Sequence, residues 1–280
     1  MQRIESVQVM RELAGQLQGA GRGVALVPTS GALHAGHAAL IALAKTQAEV
    51  VLVAVFANPL AFGPSENIAR YPRSPDADER MCADLQVDIL LMPTAEEMFP
   101  RGHSTYVAED MVSKALCGVS RPAHFRGVTT GISKLMQIVR PRVIVLGQRD
   151  AQQVAVVKKM IADLCLGVEV VVAPIVREAD GLAVSVNNSR MTPRQRQEAL
   201  GIFSALQRAA DMVAQGVRSP DRIIAEATHL LGQLRMVRVI YVAMVDPQTM
   251  EPLREIVPGK TLLAIAAWVD DVRVIDNILL

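Results

Sequence analysis

The chain has 280 residues, 51% of them hydrophobic and 20% charged, with 29 basic against 28 acidic side chains. This length and composition suit one large or two ordinary globular domains and exclude a disordered or low-complexity chain. A net charge of +1 removes the global electrostatic case for nucleic acid or an anionic membrane as partner, so any anion site must be local.

The opening "MQRIESVQVM" holds no apolar core of signal-peptide length, and no run of about 20 apolar residues follows it, so neither export nor membrane insertion is expected. Cys82, Cys117 and Cys165 are widely spaced and odd in number, which argues against a disulfide framework or a zinc site and for a reduced, cytoplasmic protein.

Short β-branched runs then recur between longer amphipathic segments: "VALVP" at 24–28, "VVLVAVFA" at 50–57, "VDILLM" at 87–92, "VIVLG" at 143–147 and "VEVVVA" at 168–173. Helical spacing occupies 37–47, 127–139 and 150–164. Continuous apolar strands alternating with helices predict an α/β domain over residues 1–175, a doubly wound, Rossmann-like parallel sheet covered on both faces. After "READGLAVSVNNSRMTP" the order changes to helices near 193–214 and 219–234, then "VRVIYVAMVD", "TLLAIAAWV" and "VRVID". That predicts a second, smaller α+β domain over 176–280, with the boundary in the turn-rich stretch between Pro174 and Pro193.

In a doubly wound sheet, ligands sit beyond the carboxyl ends of the strands. The first core strand leads into "VPTSGALHAGHAAL", Val27 to Leu40, where His34 and His37 stand three apart at a helix start. Positions three apart share a helical face, and the helix N-terminus adds N–H donors and a positive dipole end, a combination suited to a phosphoryl group. Gly36 between them would let a flat ring lie against the backbone. Capping or surface histidines would also fit this pattern, and zinc is a third, weakly supported reading. The usual phosphate cradles are absent: no G-x-x-x-x-G-K-[ST] occurs, and "GAGRG" at 19–23 precedes a strand, where a turn is expected.

Other unusual stretches fall at equivalent places. "FANPLAFGPSENIARYPR" follows the second run, punctuated by Asn58, Pro59, Gly63 and Pro64; "GQRDAQQ", Gly147 to Gln153, follows the fourth. In "HFRGVTTGISKL", 124–135, the small residues Gly127, Thr129, Thr130 and Gly131 either line a pocket or allow close helix packing, and the residues alone leave both open.

Taken together, "PTSGALHAGH", "NPLAFGPSENIARYPR", "LCGVSRPAHFRGVTT", "GQRDAQQ", "VREADGLAVS", "MVDPQTMEPL" and "RVIDNI" resemble, over nearly the full length, the pantoate–β-alanine ligase family of the HIGH-motif nucleotidyltransferases. The resemblance implies ATP-dependent condensation of pantoate with β-alanine through a pantoyl adenylate, releasing AMP and pyrophosphate. It implies that His34 and His37 are catalytic, steadying charge on the α-phosphate, with His37 as proton donor. ATP contacts are implied at Ser30, Gly31, Ala32, Leu33, His34, Gly36 and His37, at Gly147, Gln148, Arg149 and Asp150, and at Val176, Val184, Ser185, Val186 and Asn187. Ala61 and Gln153 would border the pantoate, and the second domain would act as a lid presenting 184–187. Magnesium would arrive chiefly with the triphosphate, without metal-ligating residues, and the family implies a homodimer acting on small molecules.

Five positions depart from the family pattern: Ala61 for a glutamine, Arg149 for a lysine, Val186 and Asn187 in "SVNN" at 185–188 for the serine and arginine of S-S-R-N, and Ser30 for a methionine. They set up a second expectation, a paralogue ligating another hydroxy acid or amine, or a weakly active or non-catalytic binding protein on the same fold.

Overall fold

The computed structural model describes residues 1–63 and 68–280; Pro64, named above, lies outside the described residues. β1 (Gln2–Ile4), β2 (Val24–Thr29), β3 (Val50–Val55), β4 (Ile89–Leu91), β5 (Val143–Gly147) and β6 (Glu169–Ala173) form a six-stranded sheet in the order β1-β4-β3-β2-β5-β6. Every pair in it is parallel. The helices are α1 (Val7–Gly19), α2 (Ala35–Lys45), α3 (Pro75–Asp84), α4 (Ala95–Met98), α5 (Cys117–Ser120), α6 (His124–Val139) and α7 (Ala151–Asp163).

The apolar runs are continuous because both sheet faces are buried. Ala25, Val27, Val51, Val53, Val143 and Val145 share a core cluster with Ile41 and Ala44 of α2 and Cys82 of α3. The alternating Val24, Leu26, Leu52, Ala54, Ile144 and Leu146 are equally buried and, by the two-residue period of a strand, point the other way. Burial, and next the charges of Asp78 and Glu79, push the Cys82 thiol up to about 11, so it serves as a neutral core residue. Cys82, Cys117 and Cys165 are all free, and Cys165 is exposed.

The expected parallel α/β sheet is therefore present, with one strand more than the sequence pattern suggested. β1 is three residues long and joins the edge against β4, Arg3 opposite Leu90, too short to show a period. The run at 87–92 contributes only Ile89–Leu91 as strand, because Val87 N–H closes onto Cys82 O and the Asp88 carboxylate accepts from Val51 N–H at 2.8 Å. The glycines at 19–23 do form a turn, with Gly21 at φ +70°.

The second fold unit follows the expected helix-then-strand order. α8 (Pro193–Ala214) opens with a capping box between Thr192 and Gln195 and proline in its first turn, a strong start signal. α9 (Pro220–Gly232) follows, then an antiparallel sheet of β7 (Val237–Val245), β8 (Leu262–Val269) and β9 (Val272–Leu279). Its core joins Ile202 and Leu206 of α8, Ile223 and Leu231 of α9, and Leu263 and Ile265 of β8.

By internal packing, the first unit comprises 1–110, 121–148 and 156–174, and the second 111–120, 149–155 and 175–280. Segments 111–120 and 149–155 thus group with the second unit, although a single cut at 175 assigns them to the first. Gln152 explains the grouping. It is 5% exposed; its amide donates to Val112 O and Ala115 O at 2.9 and 2.6 Å and accepts from Cys117 N–H at 2.9 Å, tying the start of α7 to 111–117. Among the described residues no helix is long and apolar enough to cross a membrane.

Candidate active site

β2 is flanked by β3 on one side and β5 on the other, so the winding reverses at β2/β5 and opens a crevice beyond their carboxyl ends. The segments leaving those two ends are Ser30–His37 and Gly147–Gln148. A Cβ on Gly147 would lie 3.8 Å from Leu40 of α2.

The turn after β2 is left-handed twice, with Gly31 at φ +87° and Ala32 at φ +52°, a conformation costly for alanine. Gly31 N–H donates to the Thr29 hydroxyl at 3.3 Å. Ala32 N–H and Leu33 N–H donate to the two carboxylate oxygens of Asp78 at 2.9 and 2.7 Å. Asp78, 2% exposed on α3, also accepts from the Ser74 hydroxyl at 3.1 Å. Sequence reading missed Asp78; one acid in "SPDADER" carries no local signal of a loop 45 residues away.

The histidines are not simply two side chains on one helical face. His34 is the N-cap residue, extended at φ −145° and ψ 179°, and only His37 lies within the helix. Their rings are 4.1 Å apart and tilted by 36°. Gly36 N–H donates to His34 Nδ1, and His34 N–H donates to His37 Nδ1, both at 3.1 Å, a capping box built from imidazoles. A ring nitrogen that accepts carries no proton, so the neutral ring fitting these bonds is protonated on Nε2, giving each histidine an Nε2–H donor.

Free N–H donors were expected at this helix start. Instead Gly36 N–H is engaged by His34 Nδ1, while His37 N–H and Ala38 N–H return to His34 O at 2.8 and 3.1 Å. The imidazoles therefore take over from these amides as the donors of the cap. Gly36 does lie against a flat ring, but that ring is His34's own: a Cβ there would come 2.9 Å from His34 Cε1.

The neighbouring wall is built by backbone. Asn58 caps the turn Pro59–Ala61, accepting from Leu60 N–H at 3.0 Å and donating to Gly127 O at 2.7 Å. The Ala61 carbonyl accepts from Arg121 and from His124 Nδ1–H at 3.2 and 2.7 Å. Gly127 decides the open question about 124–135 in favour of close packing, because a Cβ there would meet Leu60 O at 2.1 Å. α6 starts at His124, and the Thr129 and Thr130 hydroxyls bond to helix carbonyls and to Val107.

The second unit brings together Arg149–Asp150 and Val184–Asn187. Arg149 donates through Nη1 to Val184 O at 2.9 Å and pairs through Nη2 with Asp150 at 3.1 Å. Val184 N–H donates to Val176 O at 2.9 Å. Ser185 caps the short turn Val186–Arg190 by accepting from Asn187 N–H at 3.2 Å. β9 holds both segments: Asn277 donates to Arg149 O at 3.0 Å, and Asn187 donates to Arg273 O at 3.1 Å. Arg177 forms a bidentate pair with buried Asp276 at 2.6 and 3.0 Å and stacks on Phe203. Gln153 is half-buried on α7. Alternation along "RVIDNI" does not disclose which polar residues of β9 reach back to which loop.

Among the described residues no group of three or more His, Cys, Asp or Glu side chains is placed to hold a metal ion.

A family model for Pantoate-beta-alanine ligase matches residues 2–279. The chain belongs to that family. Curated relatives include the pantothenate synthetase of Thermotoga petrophila, 41% identical over 280 residues and covering 100% of both chains. That of Solidesulfovibrio magneticus is 44% identical over 278 residues, covering 99% of this chain and 97% of that one. Among solved structures, the pantothenate synthetase from Thermus thermophilus matches with a TM-score of 0.94 at 36% identity, covering 100% of this chain and 99% of that one. The pantoate-beta-alanine ligase from Francisella tularensis, complexed with beta-gamma ATP and beta-alanine, matches with a TM-score of 0.81 at 26% identity, covering 100% and 97%.

Proposed function

We propose that the protein condenses pantoate with β-alanine, using ATP and forming AMP and pyrophosphate. The observation that carries this reading is the imidazole capping box at the end of β2, in a chain belonging along its whole length to this family.

A carboxylate is a poor acyl donor, and adenylation corrects that. A pantoate oxygen attacks the α-phosphorus of ATP, the bond to pyrophosphate breaks, and the acyl group is left on a good leaving group. Negative charge concentrates at the α-phosphoryl oxygens in that transition state. Two fixed Nε2–H donors at the positive end of α2 stabilise it without reorganising, the type of effect worth about 10²–10³-fold per donor. Because each Nδ1 accepts a backbone N–H, the rings are already oriented when ATP arrives; His37 is the proton donor. The amine of β-alanine then attacks the carbonyl, the C–O bond to AMP breaks, and the amine proton leaves. Holding both reactants in line supplies further acceleration.

In this reading ATP contacts Ser30–Leu33, His34, Gly36, His37 and Gly147–Asp150, with Val176 and Val184–Asn187, while Ala61 and Gln153 border pantoate. Arg149 is the cation of the 149–150 segment. Magnesium accompanies the triphosphate. The family membership supports a homodimer, and the three free cysteines suit the cytoplasm.

The test is pyrophosphate release from ATP across a panel of hydroxy acids, with and without β-alanine, beside a His37→Ala control. Pantoate-dependent release well above that control is expected. No acid-dependent release would refute the ligase reading, and release with another acid alone would refute pantoate as substrate.

A further inference from the structure

We propose that Asp78 is the positioning residue of the histidine pair, controlling adenylation through the turn that carries His34 rather than by touching substrate. This rests on the ligase reading above for its kinetic readout, and on the geometry of the turn for its structural one.

Three consecutive amides define the turn's exit: Ala32 N–H and Leu33 N–H go to Asp78 Oδ2 and Oδ1, and His34 N–H goes to His37 Nδ1. Anchoring thus runs from a buried carboxylate on α3, through two peptide units, to the second imidazole ring. Ala32 sits at φ +52°, a conformation a free loop would leave, so something must hold it there. Asp78 does so with both oxygens, and the Ser74 hydroxyl fixes the carboxylate in turn at 3.1 Å. Asparagine cannot substitute. Its amide has one accepting oxygen, and its NH2 would face an N–H donor. At 2% exposure the site has no room for the extra methylene of glutamate.

A residue that acts only on stability would lower both half-reactions together as folded protein is lost. A positioning residue for the α-phosphate site separates them. The experiment compares the wild-type full-length chain with Asp78→Asn, Ser74→Ala and the double variant Asp78→Asn with Ala32→Gly. Adenylation is read as pantoate-dependent ATP–pyrophosphate exchange, and amide formation from supplied pantoyl adenylate and β-alanine. In Asp78→Asn the exchange kcat should fall about 100-fold, the scale of a misplaced reacting group, while aminolysis of the supplied adenylate stays within about threefold. Ser74→Ala, which removes one of three bonds and keeps the protein folded should Asp78→Asn not fold, should lose exchange about fivefold. Glycine at 32 removes the left-handed penalty and should return about fivefold of exchange to the double variant.

Ring nitrogen shifts give a readout independent of turnover: His34 and His37 should both be Nε2–H tautomers in the wild type, and His37 should lose that preference in Asp78→Asn. Exchange within about threefold of wild type in folded Asp78→Asn, or equal loss in both half-reactions with unchanged ring signals, overturns the proposal. Absence of exchange in the wild type would instead count against the ligase reading, and the ring signals would then decide the role of Asp78.

Discussion

Segments 30–37 and 184–188 both present a short polar turn capped by a side chain that accepts a backbone N–H, His34 in one and Ser185 in the other. They are held in place differently. The first is pinned by one remote carboxylate, Asp78, and closed by its own two imidazoles. The second is suspended in a network: Asn188 bonds Glu178 and Ala183 O, Asn187 bonds Arg273 O, Arg196 bridges Glu178 and Asp180, and Arg177 grips Asp276. The difference teaches that a turn closed by its own two side chains is set by few anchors, Asp78 above all, whereas the 184–188 turn draws its rigidity from many shared bonds.

That contrast can be broken at either end. The largest effect is expected at His37→Ala, where pantoate-dependent pyrophosphate exchange should drop about 1,000-fold with little change in unfolding midpoint. The reverse pattern is expected at Asp276→Ala. Stranding Arg177 should cost about 3 kcal/mol of unfolding free energy, measured by denaturant titration, while adenylation per folded molecule falls far less. If Asp276→Ala instead abolished turnover in fully folded protein, the network would have a direct catalytic role and the comparison would fail.

Smaller effects sharpen it. Asn187→Arg frees the Arg273 carbonyl and adds a cation to a segment whose own side chain now serves the backbone; KM for ATP should fall about tenfold, the value of one charge-assisted bond. The smallest effect concerns pH. The Arg196 hydrogen bond, and then that of Asn188, hold the Glu178 carboxyl below its ordinary range. A depressed folded value means stability that is fully present above the unfolded glutamate value of about 4.3 and is lost as pH falls through the lower folded value. The unfolding midpoint of the wild type should decline in that acid window. Arg196→Ala should flatten the decline while costing less than about 1 kcal/mol near neutrality, since the three partners are about one-third exposed.

The fold was legible where local chemistry and tertiary demand agree. Val24–Val27 and Val143–Leu146 read as strands because both faces of the sheet are buried, and the helical spacing near 193–214 matches α8, whose start Thr192 and Gln195 cap. β1 was not legible, because three residues show no period. The site was legible in its residue types, His34, Gly36 and His37 at a helix start, and less so in its bonding. Nothing in "HAGH" says that the helix's first amides are consumed by the cap and that Nε2–H becomes the donor. Asp78, Asp276 and Asn277 were invisible for one shared reason: each acts across a gap in sequence that only the folded chain closes.

Activation of the carboxylate as an acyl adenylate at the histidine pair is open to direct test with pantoate labelled with ¹⁸O in its carboxylate. Attack of a labelled oxygen on the α-phosphorus, followed by cleavage of the carbonyl C–O bond by β-alanine, must leave one label in AMP and one in pantothenate. Mass spectrometry of the products should show that partition at one AMP per pantothenate; label in inorganic phosphate with ADP formed, or both labels absent from the nucleotide, would contradict it.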